Sequence, residues 1–444
     1  MIASPSNIAN SINIFFNETA VTHQEKLVTR QKKVNGPVFL KTLVCSFMQN
    51  DHPSLSEMVQ LANSFGLSIS EQGFSKRFNE NAFKFLEAVF LEASQHMFDS
   101  KEKVDLKLLN KFSSVSACDT STVCLPDVFH KMFRGLGDKL SKKKSSIKLD
   151  TSIELLKGNL KINITEGITP DNKTQSALEL GKTDSLQLRD LAYFDLSRFA
   201  KQSENKVYFI SRYKSGVKLF NEDNSVIDLL KLFKDLKSKN LNYYEFTALA
   251  GNKEKVSLRV ILSKIENKKV AKKRRKKSKR KARKNKSKQT PLSKALSNWS
   301  ILVTNVPKET LSGKECYEVY RMRWQIELVF KLWKEFCKVD ESNSQNPWRV
   351  LCEIYAKLIG ILVQHWIVQN SQWQRKNKSF KKGYNAVRIR TNELFLALES
   401  GELKNLVKVI EKFTLYFSNG CNQNSRKKHP NAYQIMNNCK RRAS

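Results

Sequence analysis

Acidic residues are scarce in this chain. Its 444 residues carry 42 Asp+Glu against 79 Lys+Arg, a formal net charge of +37. A soluble chain so unbalanced ordinarily meets a polyanion, either nucleic acid or an anionic membrane surface. Long apolar runs are missing as well. The most apolar stretch, 358–368, is broken by Gln364 and His365 and preceded by Lys357, short of the roughly 20 residues that span a bilayer. The opening MIASPSNIANSINIFF puts no basic segment ahead of its apolar residues, so no secretory signal is expected. The 8 cysteines form no CxxC pair, which argues against a zinc site or a secreted disulfide framework and for a reducing cytoplasm. With 15 Gly and 9 Pro, collagen is excluded. Nucleic acid remains as the partner.

What is present is enough to fold. Forty percent hydrophobic residues support a real core, and the length implies two or three domains. The first 110 or so residues read as helices. Ser54 and Glu57 form a capping box opening a helix that Gly66 ends, and Ser68 and Glu71 read as a second box before a polar segment holding Gln72, Lys76, Arg77 and Asn79. Helix, glycine turn and polar helix outline a helix-turn-helix reader; an ordinary helical hairpin has the same outline. A third helix, Ala82 to Ser94, places Phe83, Leu86, Val89 and Phe90 in the core. Short β-type runs follow at 113–118, 160–165, 185–188, 206–212, 243–250 and 256–262, the pattern of a mixed α/β domain. Between Lys268 and Lys288, 15 of 21 residues are Lys or Arg and none is acidic. So many like charges predict a solvated loop or disordered arm. From about 345 onward the pattern is helical again, closing on Lys440, Arg441 and Arg442.

The richest chemistry lies in SGKECYEVYRMRWQIELVFKLWKEF, Ser312 to Phe336. A capping box (Ser312, Glu315) and the absence of later Gly or Pro predict one helix of about six turns. On it Tyr320, Arg323, Glu327, Lys331 and Lys334 share one narrow face, while the others are mostly apolar, Trp324 and Leu328 included. The stripe is either solvated, with a Glu327–Lys331 pair, or it faces a cleft. In a cleft, one carboxylate among cations fits a divalent metal and a phosphodiester together. Further acids are then needed, because two-metal phosphoryl transfer takes several hard oxygen ligands. Asp119 and Asp190, each at the end of a short β-type run, are candidates, although either alone reads more readily as a turn residue or helix cap. Asp127, Asp150, Asp184 and Asp195 compete.

Tyr320-x2-Arg323-x3-Glu327-x6-Lys334 resembles the Tyr-Arg-Glu-Lys signature of a bacterial insertion-sequence transposase family of the insertion-sequence-four type. CDTSTVCLPD resembles that family's first-Asp segment, RDLAYFDLSRFAKQSENKVYFISRYK its second, and WSILVTNVPKETLS the strand and turn before the Glu helix. The resemblance implies an α/β, ribonuclease-H-like catalytic core at 106–345, with a mostly β insertion and the basic arm at about 215–298. Helical regions flank it, 1–105 for DNA binding and 346–444 at the C-terminus. It implies a catalytic and metal-binding triad of Asp119, Asp190 and Glu327 holding Mg2+, for which Mn2+ may substitute. Tyr320, Arg323, Lys331, Lys334 and Trp324 would grip the DNA near the cleavage site. Gln72, Lys76 and Arg77 would read terminal inverted repeats, and Lys273, Arg274 and Arg275 of the arm would add phosphate contacts to end or target DNA. A homodimer on double-stranded DNA and a cytoplasmic, nucleoid-associated location are expected, and no membrane. Ala192 stands where the family often has glycine. A catalytically inactive DNA-binding descendant and a nuclease without strand transfer are the alternatives.

Overall fold

The computed structural model describes residues 4–27, 34–95, 106–137, 143–284, 286–372 and 378–424. The basic C-terminal residues 440–442 lie outside them. The chain begins with α1 (Pro5–Ile14), α2 (Ala20–Thr22), α3 (Gly36–Gln49), α4 (Leu55–Ser64), α5 (Glu71–Ser75) and α6 (Glu80–Gln95). Local chemistry sets these starts. Ser4 and Asn35 cap α1 and α3, each followed by a proline in the first turn, and the Ser54–Glu57 box is complete on α4. The second box is shifted: Ser70, not Ser68, caps α5, which runs only five residues. On α6 the expected Phe83, Leu86, Val89 and Phe90 are all buried.

The central layer is one nine-stranded sheet in the order β3-β2-β1-β4-β5-β9-β8-β7-β6. Its first part comprises β1 (Val115–Leu125), β2 (Ser145–Glu154), β3 (Leu160–Glu166), β4 (Leu186–Arg189) and β5 (Tyr208–Arg212), with α7 (Gln175–Leu178) and α8 (Leu196–Glu204) between strands. β1, β2 and β3 form an antiparallel meander, while β4 is parallel to β1 and β5 to β4. The rest holds β6 (Leu219–Phe220), α9 (Leu229–Ser238), β7 (Tyr243–Ala250), β8 (Val256–Lys264), α10 (Lys268–Lys284), α11 (Pro291–Leu296) and β9 (Trp299–Thr304). β9 pairs antiparallel with both β5 and β8, so this later hairpin extends the same sheet. It has its own apolar cluster, in which Phe199 stacks on Phe209 and Phe233 on Trp299.

The basic arm is a helix, which corrects the expectation of a loop or disordered segment. Lys and Arg are good helix formers, and docking needs only one uncharged stripe. Ala271 is buried, the Arg274 guanidinium donates to the Trp299 carbonyl at 2.8 Å, and Ser278 meets Ser293 at 2.6 Å. These residues recur at helical spacing on the face of α10 toward β9 and α11, while most of the cations point to solvent.

Then come α12 (Gly313–Arg321), α13 (Trp324–Phe336), α14 (Pro347–Gln372), α15 (Phe380–Ile389), α16 (Thr391–Glu399) and α17 (Leu403–Asn419). α14 is apolar and long enough to cross a membrane, yet the apolar window within its 347–369 stretch is wholly buried against protein. It lies against α3 and α6, and α1 packs on α17, so the terminal helices form a joint layer. Its polar residues hold the β2–β3 turn: His365 contacts the Gly158 carbonyl at 2.7 Å, and Gln369 donates to that of Lys157 at 3.0 Å.

Candidate active site

One strand interior, one strand end and one helix start converge at the middle of the sheet. Asp119 sits inside β1, opposite Thr151 of β2, rather than at a strand end as expected. The parallel register aligns Cys118 with Arg189, so the next residues, Asp119 on β1 and Asp190 just past β4, stand side by side. Asp190 leaves β4 in an extended conformation and leads into a short turn, Leu191–Tyr193. That turn is held from behind. The buried Arg189 guanidinium donates to the carbonyls of Ala177, Ser176 and Glu179, and Arg198 donates to those of Ala177 and Tyr193. From the other side, the buried Tyr320 hydroxyl donates to the Arg189 carbonyl at 3.2 Å.

The Glu helix is anchored by the later hairpin. A Cβ on Gly313 would overlap the Tyr243 hydroxyl, so only glycine lets α12 start this close to β7. There Tyr243 donates to Glu245 at 2.9 Å, Arg259 pairs with Glu245 at 2.8 Å and also donates to the Leu311 carbonyl at 2.7 Å. Tyr317 donates to the carbonyls of Ile261 and Ser300.

The single long helix expected over 312–336 is two. At Met322 and Arg323 the ladder tightens: Arg323 N–H bonds to the Tyr320 carbonyl, Gln325 to that of Met322 and Ile326 to that of Arg323. These are three-residue steps, closer-wound than an α-helix. The tightened turn brings Arg323 inward, and its side chain is only 7% exposed. Its Nη2 lies 2.6 Å from Glu327 Oε1, and its Nη1 lies 3.7 Å from Asp119 Oδ2. Glu327 therefore pairs with Arg323, while Lys331 pairs with Glu335 at 3.4 Å.

The three acids are electrostatically coupled. Burial pushes the Asp119 carboxyl up to about 6, opposed by the Thr120 N–H and the Arg323 guanidinium and reinforced by the charges of Asp190 and Glu327. Burial opposes the charge on Arg323, but Tyr320, Glu327 and Asp190 outweigh it and hold that group above its ordinary value. Burial raises the Tyr320 phenol. Among the described residues no three acidic, histidine or cysteine side chains stand close enough to enclose a metal. The donor chemistry nevertheless fits a divalent ion. Two hard-oxygen carboxylates already converge on a single cation, the Arg323 guanidinium, and a third stands beside them in register.

The remaining expected residues fall at different places. Lys334 reaches the Thr122 carbonyl at 3.2 Å and Asp340 at 3.4 Å, so it lines β1 beyond Asp119. Trp324 and Leu328 are 60% and 50% exposed, so they stand apart from the buried apolar faces of this stretch. Lys273 and Arg275 are exposed on α10, whereas Arg274 is turned inward onto Trp299. Gln72 and Lys76 are exposed and Arg77 half-buried, on or next to the short α5. Asp150, a competing candidate, is fully buried on the opposite face of β2 and accepts from Ser176. Arg189 and Arg212 were missed. Arg212 faces the Tyr320 ring at 5.9 Å, as does Arg323, and no sequence signal connects it to a motif more than a hundred positions away.

The model of the transposase DDE domain family matches residues 111–363, more than half of the chain and all three acids included. This chain belongs to that family. It is 26% identical over 435 residues to the transposase for insertion sequence element IS231F of Bacillus thuringiensis subsp. israelensis, covering 92% of this chain and 89% of the relative. With the transposase for IS1151 of Clostridium perfringens it shares 25% identity over 385 residues, covering 82% and 79%. The putative transposase for IS4SA of Synechocystis is 23% identical over 350 residues, 74% of this chain and 87% of that one. Bacterial insertion-sequence DDE transposases are thus its relatives over nearly its full length.

Proposed function

We propose that this chain is an insertion-sequence transposase that cleaves the element's ends and joins them to target DNA by two-metal phosphoryl transfer. The observation that carries the proposal is the convergence of Asp119 and Glu327 on one cation, with Asp190 beside Asp119 in register. A ribonuclease-H-like reading of the core is supported by where these acids lie: Asp119 on the first strand, Asp190 after the fourth and Glu327 on a helix packed against β1. Metals of the Mg2+ or Mn2+ type, when bound, supply activation of a water or 3′-hydroxyl nucleophile and stabilisation of the leaving oxygen. Asp119, Asp190 and Glu327 hold them. Lys334 and Arg323 neutralise and orient the phosphodiester, and the exposed Trp324 face offers stacking area beside it. The cations of α10 add sequence-independent phosphate contacts, whereas the α4–α5 region, with Gln72, Lys76 and Arg77, reads the terminal repeats. Two ends held together call for a dimer on DNA, with α17 contributing, in the cytoplasm at the nucleoid.

Removal of one acid tests the reading. Glu327→Ala should abolish metal-dependent cleavage of a duplex carrying the DNA that borders the coding region, with binding to that duplex nearly unchanged. Full cleavage by the variant would reject the assignment of the triad.

A further inference from the structure

A buried guanidinium lies between two of the three acids. We propose that Arg323 is an internal counter-cation: it closes the acidic site against divalent metal in the DNA-free protein and releases it when a DNA phosphate takes the guanidinium away. The inference rests on the triad reading above and adds a coupling to it.

Three observations lead there. First, Arg323 spans the site, with Nη2 at 2.6 Å from Glu327 Oε1 and Nη1 at 3.7 Å from Asp119 Oδ2. A divalent ion on those two oxygens would compete with Nη2 for the Glu327 lone pair and would sit against a positive charge only a few ångströms from both carboxylates, so the two occupants disfavour each other. Second, the resting contact is incomplete. Nη1 is buried and makes no hydrogen bond, and a buried donor without a partner is costly. A phosphate oxygen would satisfy that donor, and a guanidinium binds phosphate with two parallel bonds. Third, the hinge is in place. Arg323 is the junction residue between α12 and α13, where the ladder steps by three rather than four. Around it the rim is cationic and open: Arg212 and Lys331 are exposed and Lys334 is partly so. A phosphodiester held on this rim would compete with the two acids for the Arg323 guanidinium.

The consequence is a linkage. A phosphate that draws Arg323 off the acids frees Asp119 Oδ2 and Glu327 Oε1 for metal, so DNA must tighten metal binding, and metal must tighten DNA binding by the same factor. The protein free of DNA would then carry little metal and have little capacity for stray hydrolysis.

Mn2+ binding to the full chain, followed by electron paramagnetic resonance of the free ion, reads this without any catalysis. In DNA-free protein, Arg323→Gln should bind Mn2+ more tightly than the wild type, on the order of tenfold, because a competing charge is gone. A duplex carrying the DNA that borders the coding region should tighten Mn2+ in the wild type and have little effect in the variant. Arg323→Lys is the second variant, should the glutamine form not fold. It keeps the charge but cannot span both acids, so it should fall between the two. Mn2+ affinity in both variants equal to or weaker than the wild type's, at a site that Glu327→Gln removes, would overturn the counter-cation role while leaving the triad standing. Mn2+ uptake indifferent to Glu327→Gln in every background would overturn both.

Discussion

Tyr320 and Arg323 are three residues apart on what reads as one polar stripe, yet they do different work. The Tyr320 hydroxyl is turned into the protein, onto the carbonyl of the residue preceding Asp190, whereas Arg323 reaches two of the acids. That assigns Tyr320 the part of a positioning residue, tying the Glu helix to the second aspartate. Tyr320→Phe should lower stability by about 1 kcal/mol, the usual worth of one such bond. It should slow cleavage while leaving DNA affinity unchanged, as read by thermal melting, single-turnover rates and gel shift. Lost DNA affinity at an unchanged rate would place the hydroxyl on the DNA instead. The motif spacing made these side chains findable, because four residue types at fixed gaps survive without a structure. What each one touches was not legible, since Arg189 and Thr122 are distant in sequence and only the register of β1 and β4 brings them near.

At the scale of elements, periodicity located most strands within a residue or two, including β7 at Tyr243–Ala250. β2 escaped it. Its SSIKLDTSIE sequence buries Lys148 and Asp150, and buried polar groups hide a hydrophobic alternation when their partners come from elsewhere. Lys148 finds Asp171 and the Thr169 carbonyl, and Asp150 finds Ser176. The break between α12 and α13 was hidden for the opposite reason. No glycine or proline marks it, and it exists because Arg323 gains two carboxylates by turning inward. For α10 the charge density is legible in the sequence and the conformation is not. A rigid helix that shows its cations to solvent should bind DNA through phosphates alone. Replacing Lys272, Lys273, Arg275 and Lys276 with Gln should weaken binding to any duplex equally. It should also flatten the dependence of log affinity on log salt by up to about 0.9 for each phosphate no longer neutralised. An unchanged slope in a salt titration would mean that α10 does not touch DNA.

At the scale of the whole molecule, three distant stretches of chain must meet for any of this chemistry to occur. β1, the end of β4 and the start of α13 are brought together by one continuous sheet, and the later hairpin fixes the Glu helix through Gly313 and the Arg259–Glu245 pair. The terminal helices cover the same core from behind, with α14 clamped on the β2–β3 turn. Composition pointed to a nucleic-acid partner and periodicity to a mixed α/β body, but neither could show that the hairpin continues the same sheet as β1 and β4, because strand order is set by pairing and leaves no mark in the sequence. The meeting of the three acids is the claim on which everything else depends. Fe2+ in place of Mg2+, with ascorbate and peroxide, cuts a backbone beside the bound ion, and the fragments of the DNA-bound protein can be mapped. Cuts are expected at all three segments, around Asp119, Asp190 and Glu327, and all should vanish together in Glu327→Gln. Cuts at only one of the three, or cuts that survive that substitution, would contradict a shared metal site.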